Sequence, residues 1–200
     1  MYARVIPIQC RPDLLTDFLS VYRSAVLPPL VREPGFHGAL VLSDPEVHTG
    51  FIVTLWNSEA ALAQSEMKSR KAVAAMLLPF LTAHPQPERY EVLVRAGQHV
   101  GGLFARMITL PVPEAQLESA RTVYEQEYLP VLRQQPGFQG VLWLANRAHG
   151  SGRGLSFWTS RDQMQAADRE NEIFPRVLSR LAEYFSAPTE RGYYAVSVQI

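Results

Sequence analysis

The sequence predicts an α+β fold in which one ferredoxin-like β-α-β-β-α-β unit is written twice. Three observations predict it. The stretch Pro34-Gly35-Phe36-His37-Gly38 recurs as Pro136-Gly137-Phe138-Gln139-Gly140, 102 residues later. Laying residues 2–58 on 104–160 without a gap gives 18 identities in 57 positions, where composition alone gives about three or four. The strand-like segments are apolar on both faces, so both faces need cover. A duplicated chain can supply that cover itself, with two antiparallel sheets packed face to face as a barrel inside one chain. The repeats are expected at 1–96 and 102–200, joined by a glycine-containing linker at 97–101.

Within the first repeat, residues 2–9 are rich in β-formers (Val5, Ile6, Ile8) and predict strand one. Pro12 and Asp13 then open a helix. Leu14, Leu15, Phe18, Leu19, Tyr22, Val26 and Leu30 recur at helical spacing and form one apolar face. Leu117, Ala120, Val123, Tyr124, Tyr128 and Leu132 do the same in the second repeat. Pro28 and Pro130 fall late in these helices and should kink or interrupt them. Pro34-Gly35 turns the chain into strand two, Phe36 to Ser43. The turn Asp44–Gly50 leads to strand three, Phe51 to Trp56. Ser58 and Ser160 are placed as helix N-caps, and Ser160 with Gln163 fits a capping box. A helix over about 59–83 and a strand from Tyr90 to Arg95 close the repeat. In the second copy Pro175 splits the corresponding helix, and the last strand runs from Tyr193 to Ile200 after a one- or two-residue insertion.

Composition narrows the function classes. Apolar residues make up 47% and charged residues 19%, and Lys plus Arg equals Asp plus Glu at 19 each. A zero net charge argues against nucleic acid or an anionic membrane as partner. The single cysteine, Cys10, cannot form an internal disulfide, which fits a reducing, cytoplasmic compartment. No apolar run approaches the length of a membrane span, and the N-terminus has no signal pattern. No phosphate loop, nucleophile elbow or dinucleotide fingerprint is present. Gly150-Ser151-Gly152-Arg153-Gly154 precedes a strand rather than a helix, so it lacks the helix N-terminus that phosphate binding uses. No two histidines have metal-ligand spacing, so no metal is expected. Asp168-Arg169-Glu170-Asn171-Glu172 reads as an exposed helix face. No polar constellation common to both copies is evident.

Pro-Gly-Phe-x-Gly at the entry to strand two, with a tryptophan closing strand three just before a capped helix, resembles the antibiotic biosynthesis monooxygenase domain of the dimeric α/β-barrel superfamily. The motif residues are Pro34–Gly38 with Trp56-Asn57-Ser58-Glu59-Ala60, and Pro136–Gly140 with Trp158-Thr159-Ser160. The resemblance spans both halves. It implies a barrel closed within one chain, a ligand cavity between helices and sheet in each unit, and a small-molecule ligand; further self-association stays open. It also implies cofactor-free oxygenation of a small aromatic or polyketide-like molecule. A non-catalytic ligand-binding or stress-related protein is the alternative, and haem binding or degradation a weaker one. The haem-degrading branch carries a histidine on the helix after the tryptophan and an asparagine on strand one, and this chain has neither.

In that frame His37 is the expected base, Arg4 or Tyr22 the anion stabiliser, and Trp56, with Phe36 beside it, the aromatic wall. Trp158, Tyr124 and Arg106 are the second-copy counterparts. Each has a plainer reading. A tryptophan where strand meets helix is explained by packing, and a tyrosine on an apolar helix face is commonly core. An arginine within a sheet usually pairs with an acid. The counterpart of His37 in the other copy is Gln139, so only one cavity would carry the imidazole. His48 and His149 fall in turns, His84 precedes Pro85, His99 lies in the linker, and Cys10 reads as a small core residue.

Overall fold

The computed structural model describes residues 1–97, 103–169 and 173–200. Eight strands form a closed antiparallel barrel in the hydrogen-bonded order β1-β3-β2-β8-β5-β7-β6-β4. They are β1 (Tyr2–Gln9), β2 (Phe36–Asp44), β3 (Thr49–Trp56), β4 (Glu88–Gly97), β5 (Phe104–Thr109), β6 (Phe138–Asn146), β7 (Ser151–Trp158) and β8 (Arg191–Gln199). A closed barrel turns one face of each strand inward and the other toward the helices, which is why the strands are apolar on both faces.

The chain divides into two compact units, residues 1–89 with 195–200, and residues 90–194. These differ from the sequence repeats by the exchange of their last strands. In the first unit β1 lies beside β3 and β3 beside β2, with Arg4 opposite Thr54 and Leu40 opposite Val53. The end of β8 then pairs with β2, Val41 opposite Val198 and Ser43 opposite Ala195. In the second unit β5, β7 and β6 repeat the arrangement, Arg106 opposite Ser156, and β4 pairs with β6, Gly97 opposite Gly140. Of the expected linker 97–101, Gly97 ends β4, and 98–101 lie outside the described residues.

The first helix of each unit is built in three consecutive pieces. In the first unit these are α1 (Leu15–Val21), a π-helical turn over Tyr22–Val26, and α2 (Leu27–Val31). The helix begins later than Pro12-Asp13 suggested, because Asp13 takes a positive φ of 64°. The second unit matches with a short 3₁₀ turn, α4 (Leu117–Val123), a π-helical turn over Tyr124–Tyr128, and α5 (Leu129–Arg133). Pro28 and Pro130 do not break these helices. Proline lacks an N–H and crowds the carbonyl four residues back, and a turn widened to i→i−5 relieves both problems just before it. The amide of Leu27 donates to the Tyr22 carbonyl and that of Leu129 to the Tyr124 carbonyl, five residues back.

The second helical layers differ. In the first unit α3 (Glu59–Leu77) is one continuous helix, capped by Ser58, whose hydroxyl accepts from the Ala61 amide at 3.1 Å. In the second unit the layer is two helices, α6 (Arg161–Arg169) and α7 (Ile173–Ala182). Ser160 accepts from the Gln163 amide at 3.2 Å, but the Gln163 side chain accepts from the hydroxyls of Ser160 and Thr159, so the full capping box is not formed.

The cores follow this difference. In the second unit a continuous apolar cluster joins Tyr124, Tyr128, Trp143 and Trp158 to Val177 and Leu181 of α7. In the first unit one cluster gathers around Phe18, Tyr22, Val41 and Leu81, and another, separate from it, around Leu30, Trp56 and Leu62.

Candidate functional site

Alternation along β1 puts Arg4, Ile6 and Ile8 on one face. These three residues, with Ile52 of β3, form one wall of a cavity of about 580 Å³. The opposite wall is α3, through Glu66, Ser69, Val73, Ala74 and Leu77, and residues 84–87 with Arg89 reach its rim. The equivalent residues Arg106, Ile108 and Leu110 of the second unit line a space of only about 20 Å³, room for roughly one water. Tyr124, Tyr128, Leu132, Leu178 and Leu181 occupy the rest. Tyr128 stands where the first unit has Val26, and its hydroxyl lies 3.5 Å from an Arg106 nitrogen. One large side chain and a helix packed onto the sheet thus fill the second cavity.

Arg4 is 8% exposed. Its guanidinium lies over the Trp56 ring, 5.7 Å from the centroid, and the indole N–H donates to the Thr54 hydroxyl at 3.0 Å. Among the described residues Arg4 has no ion pair and no hydrogen bond, and its Nε is buried without an acceptor. Burial lowers its pKa from the ordinary arginine value, with the Glu66 carboxylate pulling the other way. Glu66 itself is ion-paired with Arg89, which also donates through Nε at 3.3 Å. That hydrogen bond raises the Arg89 pKa.

The second unit repeats the parts with a different pairing. Arg106 lies over Trp158 at 5.6 Å, and the Trp158 indole donates to Ser156 at 3.0 Å. Here the arginine, 1% exposed, is ion-paired with Asp168 of α6. Asp168 also pairs with Arg191 at 3.2 Å and accepts from the Tyr193 hydroxyl at 2.6 Å. Asp168 is therefore a buried ion-pair partner rather than part of an exposed helix face; Glu170, Asn171 and Glu172 of that run lie outside the described residues.

A constellation common to both copies thus exists, contrary to the reading of the sequence. The 102-residue shift carries Arg4, Thr54, Trp56, Glu66 and Arg89 onto Arg106, Ser156, Trp158, Asp168 and Arg191. The signal that could have found it is Glu88-Arg89 against Glu190-Arg191, at the same shift as the first 58 residues. The insertion that was meant to match Tyr90 with Tyr193 or Tyr194 hid it.

The other expected residues fall as follows. His37 is exposed at a bulge in β2 and is not among the residues lining the cavity. Tyr22 is buried against Phe18, its hydroxyl has no hydrogen-bond partner, and burial raises its pKa above the ordinary tyrosine value against the opposing charge of Arg4. Phe36 and Trp56 meet edge to face at 5.6 Å and pack with Leu30 and Leu62, as Phe138 and Trp158 also meet at 5.6 Å. Trp56 backs Arg4 rather than lining the cavity. Tyr124 and Arg106 line the small space of the second unit, and Trp158 does not. His84, read as solvated, is exposed and sits at the cavity rim. Cys10 is buried. Among the described residues no cluster of His, Cys, Asp or Glu is placed to hold a metal ion, and no helix is long and apolar enough to cross a membrane.

Residues 1–74 match the family model described as antibiotic biosynthesis monooxygenase. The first repeat carries that domain. No curated protein matches the chain in sequence. Solved structures share its fold over nearly the whole length. A "putative monooxygenase" from Fusobacterium nucleatum superposes with a TM-score of 0.78 at 14% identity, covering 99% of this chain and 93% of the other. A crystal structure of an anthrone oxidase-like protein gives 0.72 at 14% identity, with 100% and 92% covered. A heme-degrading enzyme from Listeria monocytogenes gives 0.57 at 10% identity, with 98% and 99% covered. At these identities the likeness is one of fold, and it matches the dimeric α/β-barrel expected from the motifs.

Proposed function

We propose that the protein is a cofactor-independent monooxygenase-like enzyme whose working site is the cavity of the first unit, acting on a small aromatic or polyketide-like molecule. One observation carries this reading: of two equivalent spaces, the first keeps about 580 Å³ and a buried arginine with no ion pair or hydrogen bond among the described residues, while the second is filled. The volume falls in the range of small-molecule sites. The family match over residues 1–74 and the anthrone oxidase-like fold neighbour support the same chemistry.

A substrate with an acidic CH₂ beside an aromatic ketone can reduce dioxygen itself. Loss of a proton gives the enolate, which passes one electron to O₂. The resulting radical pair combines as a peroxide anion, which takes a proton back from solvent to become the hydroperoxide, and loss of water leaves a new carbonyl. The balance is CH₂ plus O₂ giving C=O plus H₂O. The protein then has three tasks. Arg4 holds the enolate oxygen, where a fixed cation in an apolar wall is most effective. His84 at the rim accepts the proton and passes it to solvent. Ile6, Ile8, Ile52, Val73 and Leu77 keep the reacting carbon dry. Since His37 lies outside this lining, His84 takes over its expected part.

The test is oxygen uptake with an anthrone probe. Wild type should consume oxygen above the uncatalysed rate, and Arg4→Met should lower the rate about 10²-fold. His84→Ala should lower it by a similar factor. A probe that binds but is never oxidised would sink the enzyme reading in favour of a non-catalytic ligand-binding protein.

A further inference from the structure

Only the second unit supplies an ion-pair partner to this arginine among the described residues, and we infer from this that the ligand of the first unit's cavity carries a carboxylate that pairs with Arg4. The inference rests on the reading of that cavity as a ligand site and adds the chemical class of the ligand: an acid set beside the reacting ketone, so that the one guanidinium fork takes the carboxylate and the enolate oxygen together. In the second unit the buried Arg106 is matched by Asp168, held in turn by Arg191 and Tyr193. The first unit has the same three charges at the same shift, Arg4, Glu66 and Arg89. Its acid is committed elsewhere: Glu66 pairs with Arg89 at the rim, where the side chains are 16% and 50% exposed. Arg4 is buried like its counterpart, 8% exposed against 1%, but has no ion pair or hydrogen bond among the described residues.

A buried cation without a partner is costly unless something pairs with it. Unlike Arg106, Arg4 opens onto a space large enough for a ligand. A ligand carboxylate would supply to Arg4 what Asp168 supplies to Arg106, through the fork geometry that guanidinium groups offer. Trp56 covers one face of the guanidinium. Beyond it the walls are Ile6, Ile8, Ile52, Val73 and Leu77, which accept an apolar body and no second charge. The other charged or titratable groups on the lining are Glu66, Arg89 and His84. Glu66 and Arg89 cancel, which leaves Arg4 as the unmatched charge among the described lining residues. The occupant is therefore a flat, apolar monocarboxylic acid, seated acid end first.

Calorimetric titration with naphthalene-2-carboxylate and its neutral amide tests this. Wild type should bind the acid at least about tenfold more tightly than the amide. The preference should disappear in Arg4→Met and persist in part in Arg4→Lys, with circular dichroism confirming that both variants are folded. Equal affinity for acid and amide overturns the inference, as does a preference that survives Arg4→Met, or failure of both probes to bind. Oxygen uptake separates it from the functional reading. Acid preference without uptake of oxygen from any anthrone defeats the oxygenase and leaves the carboxylate site. Uptake with equal affinities does the reverse.

Discussion

Arg4 and Arg106 have the same neighbours in space, a strand hydroxyl and a tryptophan face, yet they should respond oppositely to the same substitution. Arg106→Met leaves Asp168 buried and short of one cation, and removing one partner of a buried pair costs about 3 kcal/mol. Arg4→Met removes a buried cation that has no ion pair or hydrogen bond among the described residues, so stability should hold or rise. Urea denaturation of the two variants checks the contrast, and equal losses would contradict it. Tyrosine hydroxyls follow the same logic. The Tyr22 hydroxyl is buried without a partner, so Tyr22→Phe should raise stability by about 1 kcal/mol. Tyr128 has its hydroxyl on Arg106, so Tyr128→Phe should lower stability by about as much. Thermal unfolding of the pair should show shifts of opposite sign.

At the scale of elements, the turn into strand two is a backbone requirement. Gly35 and Gly137 take φ of 80° and 78°, a region that side chains other than glycine's rarely enter. A Cβ on Gly35 would also stand 2.6 Å from the Ala61 Cβ in the first turn of α3. Gly35→Ala should therefore destabilise by at least about 1 kcal/mol and shift the start of α3. Denaturant titration measures the first, and hydrogen exchange over residues 59–65 reads the second. The π-helical turns are a second elemental device. They let the helix run through Pro28 and Pro130 and set Tyr22 and Tyr124, each at the start of its widened turn, into the core. Continuity of α3 against the α6 and α7 pair is the third, because it separates the unit that keeps a cavity from the unit that fills it.

At the scale of the whole molecule, the open cavity should be removable by borrowing from the second repeat. Val26→Tyr places at the equivalent position the side chain that reaches Arg106 in the second unit. It should lower carboxylate affinity at least about tenfold without unfolding the protein. Calorimetry and a thermal melt on the same sample check both halves of that expectation. Base titration should also be cooperative. Burial raises the pKa of Tyr22, Tyr124 and Tyr128 above the ordinary 10.0 in the folded state. Their contribution is complete below that value and is lost as pH climbs above it, since the unfolded chain then releases protons that the folded one retains. Part of the tyrosinate absorbance should therefore appear together with the loss of circular dichroism, and full ionisation before unfolding would refute it.

Much of this architecture was already legible in the chain. Strand one has the expected bounds, 2–9, because alternation and β-branching are local signals. The duplication, the Pro-Gly-Phe turns and the order of elements are local signals too, repeated once. The charge constellation was legible only by carrying the 102-residue shift past Ser58, where identities fade and Glu66 meets Asp168 rather than a second glutamate. Even then, nothing in the sequence says that Glu66 pairs with Arg89 while Asp168 pairs with both Arg106 and Arg191. That choice depends on where helix and strand ends stand relative to solvent, since a rim pair gives up less hydration than a buried one. Which repeat keeps a cavity also lay beyond the sequence, because free space is what remains after side chains from four or five distant segments have been packed together. Sequence by itself determined the repeated unit, its elements and the matched arginines on strand one. Tertiary structure decided which arginine is matched by the protein and which opens onto a cavity, because pairing and volume are set by segments that sequence order keeps far apart.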